Sequence, residues 1–297
     1  MSSTRAGTVA LIGWTNVGKS TLLNRLVGVR IAAVADVAQT TRHRITGVRH
    51  LDGRGQIAFV DTPGWHRPRH RMNRRMMALT RQTLGEVDCV AWLIDASLGI
   101  GHGDREVADL LRKLDMPKVA VLNKTDRVGR KLKLLPLIEE IAGWSAFLEI
   151  VPICATSGEG CDELLEILLR LVPEGPPLFD DDFLTDQSQR QLVAEMVREQ
   201  LVRNTREELP HATAVVIESW NDSDPRLTRI GATVLVDRES QKKIVIGRQG
   251  SVLKTVGSAA RVEIERLLGR QVFLELWVKV RQDWREDEGI LRDIGLG

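Results

Sequence analysis

The chain has 297 residues, room for about two domains of roughly 150 residues each, and its 43% hydrophobic and 28% charged residues are an ordinary globular balance. A formal net charge of +2 excludes binding driven by overall charge, so any nucleic-acid surface has to be local. Cys89, Cys154 and Cys161 are odd in number, lack metal-ligand spacing and read as buried reduced thiols; no apolar run reaches the roughly 18 residues of a membrane span, and with no secretory layout at the N-terminus the expected location is the cytoplasm.

The first half alternates. TVALIG (8–13) reads as a strand, followed by a glycine-rich turn and the helical KSTLLNRLVG (19–28). QIAFVDTPG (56–64), VDCVAWLIDA (87–96), KVAVLNKTD (118–126) and FLEIVPICA (147–155) are further strands that end in polar turns, and GCDELLEILLRLV (160–172) is an amphipathic helix. KLKLLPLIEEI (131–141) reads as a surface helix. This order predicts an α/β, doubly wound parallel sheet with its ligand beyond the carboxyl ends of the strands.

The residues at those ends carry chemistry. GWTNVGKS (13–20) lies between a strand and a helix, the context that makes its glycine and lysine spacing specific for phosphate. Gly13, Asn16, Val17, Gly18, Lys19, Ser20 and Thr21 are the phosphate-loop candidates: backbone N–H groups face phosphate oxygens, Lys19 reaches the β- and γ-phosphates, and the Ser20 hydroxyl is placed for Mg²⁺. In QTTRHR (39–44) a threonine can complete the Mg²⁺ shell, Thr41 first and Thr40 second. DTPG supplies Asp61 for the metal, then Thr62, Pro63 and Gly64, whose N–H can face the γ-phosphate. Lys19, Thr41, Asp61 and Gly64 are therefore the candidate catalytic set.

NKTD selects the base. The Asp126 carboxylate can accept from both guanine N1–H and the exocyclic amine, a pair that adenine lacks, so ATP would leave a buried carboxylate unpaired. Asn123 is expected at the purine's other edge and the Lys124 stem over the ring, with a backbone N–H of CAT, from Cys154 or Ala155, at the guanine carbonyl. The substrate reading is GTP, with GDP as product.

PEGPPLFDDD (173–182) breaks the pattern and reads as a linker. A helix follows, capped at Thr185 or Asp186 and ended by Pro210; then come HATAVVIESW and LTRIGATVLVDR as strands, two helices joined around VIGRQG, and the strand QVFLELWVKVR. In that last strand Val272, Leu274, Leu276 and Val278 alternate inward and Trp277 outward. From Gln241 to Arg285 there are ten basic and four acidic residues. The glycine turn with this excess is a candidate RNA clamp, carried by Gly247, Arg248, Gln249, Gly250, Lys254 and Arg261. A protein-interaction module with a merely structural turn is the alternative.

GWTNVGKSTLLN, QTTRHRI, DTPGWHRP and NKTD in this order, with VIGRQG, ELWVKV and RQDWRED after them, resemble the Era family of bacterial GTPases over nearly the whole chain. The resemblance implies a P-loop GTPase domain (1–172), a linker (173–184) and a smaller α+β type II KH domain (185–297). It further implies binding to the 3′ end of small-subunit (16S) rRNA, assistance in 30S subunit maturation, peripheral inner-membrane contact, and K⁺ held beside the phosphates by Asn16. A monomer is expected. Three positions depart from the family: Thr15 replaces its usual proline, Cys154 its serine, and Trp65 its small aliphatic residue. Trp65 stands where Ras-like proteins carry a water-positioning glutamine, so hydrolysis has to come from positioning and charge neutralisation and is expected to be slow.

Overall fold

The computed structural model describes residues 4–34, 41–66, 68, 70–144, 146–205 and 209–296. The chain forms two compact units: Met1–Ala32, Thr41–Pro68 and Asn73–Asp186 make the first, and Gln187–Gly297 with Ala33–Thr40 and Arg69–Met72 the second.

The first unit is built on six strands, β1 (Arg5–Gly13), β2 (Ile45–Leu51), β3 (Gly55–Asp61), β4 (Cys89–Asp95), β5 (Lys118–Asn123) and β6 (Glu149–Pro152), in the spatial order β2-β3-β1-β4-β5-β6. Helices α1 (Lys19–Val27), α2 (Arg71–Leu84), α3 (His102–Leu111), α4 (Leu135–Ala142) and α5 (Cys161–Leu171) connect and cover them. The central strands read as apolar runs because both faces are covered: every residue of β4 and β5 is buried. The sheet is not wholly parallel. β2 pairs antiparallel with β3, with Ile45 opposite Asp61, and this edge strand has no counterpart in the sequence reading. ITGVRHL is buried from Ile45 to Val48 and half-buried at Arg49 and His50, so its glycine and polar residues interrupt the apolar run that would have marked it as a strand.

The proline-rich segment read as a linker lies along the first unit. Ala6 N–H donates to Pro173 O and Val48 N–H to Leu184 O. The Gln56 amide donates to Phe179 O at 2.9 Å and accepts from Leu178 and Phe179 N–H. Each contact satisfies a backbone group that a proline-rich stretch cannot satisfy within itself.

In the second unit α6 (Gln189–Asn204) and a single-turn α7 (Leu209–Ala212) precede β7 (Ala214–Asp224) and β8 (Leu227–Val236). Then come α8 (Glu239–Ile246), α9 (Ser251–Leu268), β9 (Gln271–Val280) and α10 (Glu288–Asp293). The sheet runs β7-β8-β9, with β8 antiparallel to β7 and parallel to β9. α6 starts later than expected: the cap is Ser188, whose Oγ accepts from Gln191 N–H while Gln191 Oε1 accepts from Ser188 N–H. That reciprocal pair satisfies two orphan donors, more than Thr185 or Asp186 could do from outside the turn. The helix also ends at Asn204, before Pro210. Val193, Val197, Ile230, Val234, Val256, Ile264 and Val272 form the core, with Leu274, Leu276 and Val278 packed against it. Trp277 faces outward, 44% exposed. All three cysteines are buried and unpaired, and burial pushes the Cys89 thiol up to about 12.

Candidate functional site

Gly13 closes β1, and residues 14–18 carry the chain into α1 without a side-chain cap, so the first N–H groups of the helix open toward the loop. Gly18 has φ of 100°, and a Cβ there would lie 2.3 Å from Asn123 Nδ2, so only glycine fits. Lys19 Nζ, buried under the loop, donates to Gly13 O at 3.2 Å and Trp14 O at 3.0 Å. Burial lowers its pKa to about 8, with Asp61 acting in the opposite direction. The chain after β3 folds back onto this loop. Trp65 N–H donates to Gly13 O at 3.0 Å, and a Cβ on Gly64 would stand 3.3 Å from Lys19 Nζ. Thr62 is anchored by its hydroxyl to Leu11 O at 2.9 Å. His66 Nδ1 donates to Gly64 O at 2.7 Å, and burial holds the ring below its ordinary pKa.

Three oxygens converge beside Lys19. Ser20 Oγ donates to Asp61 Oδ2 at 2.6 Å, Thr41 Oγ1 to the same atom at 3.1 Å, and the two hydroxyls lie 2.7 Å apart. Asp61 is fully buried, and among the described residues its Oδ1 has no hydrogen-bond partner. Burial raises the Asp61 pKa; Lys19, Ser20 and Thr41 together oppose the rise without cancelling it. A carboxylate and two hydroxyls gathered this closely, with one carboxylate oxygen unused, suit a small hard divalent cation such as Mg²⁺. Thr41 belongs to this group; Thr40 lies outside the described residues.

At the other end of the site Asn123 acts as a brace. Its Nδ2 donates to Val17 O at 2.8 Å and its Oδ1 accepts from Ala155 N–H at 3.0 Å, so one buried amide ties the phosphate loop to the turn after β6. The sequence placed Asn123 at the purine edge and an N–H of Cys154 or Ala155 at the guanine carbonyl. In the structure Cys154 N–H donates to Glu159 O and Ala155 N–H to Asn123, so both N–H groups are used within the fold. Lys124, with φ of 63°, sends its ammonium to Asn16 O at 2.6 Å and Asp95 Oδ2 at 2.7 Å, which stretches its stem between β5 and the phosphate loop. The Asp126 carboxylate is exposed, and Cys154 Sγ donates to its Oδ1 at 3.2 Å. The cysteine thus supplies a donor where the family's serine would, through a weaker S–H.

Two participants were missed in the sequence. Arg25 Nε donates to Ala155 O at 3.2 Å and its Nη2 to Thr156 O, fastening α1 to the CAT turn; an arginine within a helix gave no signal of this. Asp95 closes β4 and pairs with Lys124; burial alone would raise its pKa, but the bonds from Lys124 and Ser97 together hold it below the carboxylate range. Its position at a strand's carboxyl end was the available clue.

In the second unit the glycine turn joins α8 to α9 directly. Gly247 has φ of 73°, and a Cβ there would meet Val252 Cγ2 at 2.5 Å. Gln249 holds φ of 52°, and Arg248 and Gln249 are both exposed at the tip. Lys254 is exposed one turn into α9. Arg261 is two helical turns further on, about 10 Å along the axis, and is paired with Glu265 at 3.0 Å, so it stands apart from the turn.

Comparison with known proteins agrees with this layout. The chain matches the family described as 50S ribosome-binding GTPase over residues 8–124 and the KH domain family over residues 208–285. It is 45% identical to the GTPase Era of Geobacter metallireducens over 98% of this chain and 97% of that one, and 42% identical to the GTPase Era of Heliobacterium modesticaldum over 99% and 98%. Among solved structures it resembles Era in complex with MgGDPNP and nucleotides 1506–1542 of 16S ribosomal RNA, at a TM-score of 0.95 and 42% identity over 99% of both chains. A single-residue variant of Aquifex aeolicus Era bound to GDP·AlF4⁻ also gives a TM-score of 0.95, with 42% identity over 99% of this chain and 100% of that one.

Proposed function

The chain belongs to the Era family of GTPases, and from that premise we propose that it is a GTP-gated clamp for the 3′ end of 16S rRNA that assists maturation of the 30S subunit. The observation that carries the gate is the convergence of Thr41 with Ser20 and Asp61. Thr41 comes from the segment between α1 and β2, so a ligand that engages all three residues also fixes that segment. GTP with its metal does so; GDP, lacking the γ-phosphate, releases it.

In the proposed mechanism Lys19 and the N–H groups of residues 13–21 hold the β- and γ-phosphates. Ser20, Thr41 and Asp61 hold Mg²⁺, which when bound neutralises charge on the phosphate oxygens. Gly64 turns its N–H toward the γ-phosphate, and the His66 bond to its carbonyl fixes the Gly64–Trp65 peptide that follows. The reaction is attack of water on the γ-phosphate. Trp65 has no acceptor to orient that water for attack, so its buried ring excludes solvent while Lys19 and the metal supply charge, and turnover is slow. Asp126 reads guanine N1–H and its amine, held in orientation by Cys154. Asn16 is the residue proposed for K⁺; its carbonyl is taken by Lys124, so the side-chain amide carries that role, and equal rates in Na⁺ and K⁺ would end the assignment.

The turn at Gly247, Arg248, Gln249 and Gly250, with Lys254 behind it, is proposed to grip about four nucleotides of single strand. The relative solved with MgGDPNP and a 16S rRNA fragment supports RNA as the ligand and the GTP analogue as its companion. We place this action in the cytoplasm, by a monomer, with any membrane contact peripheral; among the described residues no helix is long and apolar enough to cross a membrane. Anisotropy with a short strand matching the 3′ tail of 16S rRNA tests the proposal. Binding should tighten when GDP is replaced by a non-hydrolysable GTP analogue, and should be lost with Arg248→Asp/Gln249→Asp. Equal binding in all four arms would remove both gate and clamp.

A further inference from the structure

One face of α1 grips both ends of the segment that delivers Thr41. Ser20 and Asn24 stand at i and i+4 of this helix, so their side chains lie one above the other, about 6 Å apart along the axis. Ser20 Oγ lies 2.7 Å from Thr41 Oγ1, at the downstream end of the segment. Asn24 holds the upstream end. Its Oδ1 accepts from Ile31 N–H at 2.8 Å and from Ala32 N–H at 2.9 Å, and its Nδ2 donates to Ala32 O at 2.9 Å.

These bonds have a specific form. Ala32 exchanges both its N–H and its C=O with a single side chain, much as a residue does with a neighbouring strand, and a side-chain amide supplies the donor and the acceptor together. Asparagine is ordinarily disfavoured within a helix because its amide competes for nearby backbone groups; here it serves a later segment of the chain. Ile31 and Ala32 are buried, and Ile31 Cδ1 occupies the space over Gly47, 2.3 Å from where a Cβ would lie. Ala32 is also the last residue the first unit holds before the chain rejoins it at Thr41. The three bonds therefore sit at the hinge from which residues 33–40 depart.

We propose that Asn24 is a positioning residue for GTP hydrolysis: by fixing residues 31 and 32 on α1, it sets the point from which Thr41 reaches the metal and the γ-phosphate. The inference rests on the gate at Thr41. GDP binding does not recruit Thr41 and gains nothing from the clamp. GTP binding requires Thr41 in place, and a chain without the clamp has to order residues 31 and 32 at each binding event. Asn24 acts through Thr41 and not on the nucleotide.

The test is titration of the full-length protein with fluorescent GDP and with a non-hydrolysable GTP analogue, both in Mg²⁺. In Asn24→Ala the analogue should bind about five- to thirtyfold more weakly, the cost of ordering one or two backbone residues anew, while GDP stays within about twofold of wild type. Thr41→Ala should show the same selectivity. Asn24→Ala/Thr41→Ala should then bind the analogue no more weakly than Thr41→Ala, because a residue that acts only through Thr41 adds nothing once that hydroxyl is gone. Asn24→Asp keeps the acceptor for both N–H groups and loses the donor to Ala32 O, so it guards against loss of the fold and should shift the analogue in the same direction by less. Equal weakening of GDP and analogue in both Asn24 variants would make Asn24 a support of the phosphate loop and overturn the inference. Losses that multiply in the double variant would do the same. Failure of Thr41→Ala to separate the two nucleotides would bring down the gate itself; a selective Thr41→Ala beside Asn24 variants that bind like wild type would leave the gate standing and remove only the role of Asn24.

Discussion

Replacing Asn123 with alanine removes two buried hydrogen bonds at once, those to Val17 O and from Ala155 N–H. Val17 and Ala155 are each 3% exposed, so neither freed group regains water once a nucleotide covers the site. A buried group left unpaired costs about 1–3 kcal/mol, which gives about 2–6 kcal/mol for the two. At about 1.4 kcal/mol per decade, GDP affinity should fall by about thirty-fold at the least and by more than about ten-thousand-fold at the most. Asn123→Asp keeps the acceptor for Ala155 but sets a carboxylate oxygen against Val17 O in place of the donor, so it should bind GDP no better than Asn123→Ala. Titration with fluorescent GDP reads the affinity. Thermal melts with and without GDP read the same quantity independently, because a hundred-fold weaker ligand stabilises by about 2.7 kcal/mol less at saturation. If Asn123→Ala binds GDP within threefold of wild type, the brace is not what joins the two loops and the reasoning fails.

Three further outcomes follow from named contacts. Cys154→Ala removes the S–H donor to Asp126 and should weaken GDP by up to about tenfold, with Cys154→Ser restoring it; equal affinities for all three proteins would deny the thiol any part in orienting the carboxylate. Trp284, fully buried with Nε1 bonded to Ala212 O at 3.1 Å, anchors the C-terminal segment, and Trp284→Ala should cost the second unit about 3–5 kcal/mol in urea denaturation while GDP affinity stays constant. His66 is favoured in its neutral form by burial, against the opposing bonds to Gly64 and Asn73, so its folded pKa lies below the ordinary histidine value of 6.5. Its contribution to stability is therefore full above about pH 6.5 and is lost as pH falls, because the unfolded chain binds the extra proton. Melting temperature should drop more steeply below that pH in wild type than in His66→Asn, and parallel profiles would exclude His66 as the cause.

The phosphate loop, the DTPG and NKTD turns and the glycine turn were legible because each is local: a few consecutive residues after a strand set both the backbone and the chemistry. The alternation of apolar runs and polar turns likewise gave β1 and β3 to β6 in order, though not α2 or α3, since burial on both faces of a sheet is written into β4 and β5 as unbroken apolar sequence. What the sequence could not state was pairing across distance. β2 emerged as an antiparallel edge strand only once Ile45 met Asp61, and the cap of α6 moved to Ser188 because a reciprocal bond with Gln191 outcompetes its neighbours. The choice of Thr41, the use of Asn123 as a brace and the hold of Arg25 on the CAT turn each depend on partners 20 to 131 residues away. Sequence determined which groups can bind phosphate, metal and guanine, because chemistry belongs to the residue. Tertiary structure decided which of them meet, because hydrogen bonds of about 3 Å between distant segments exist only after the chain has closed.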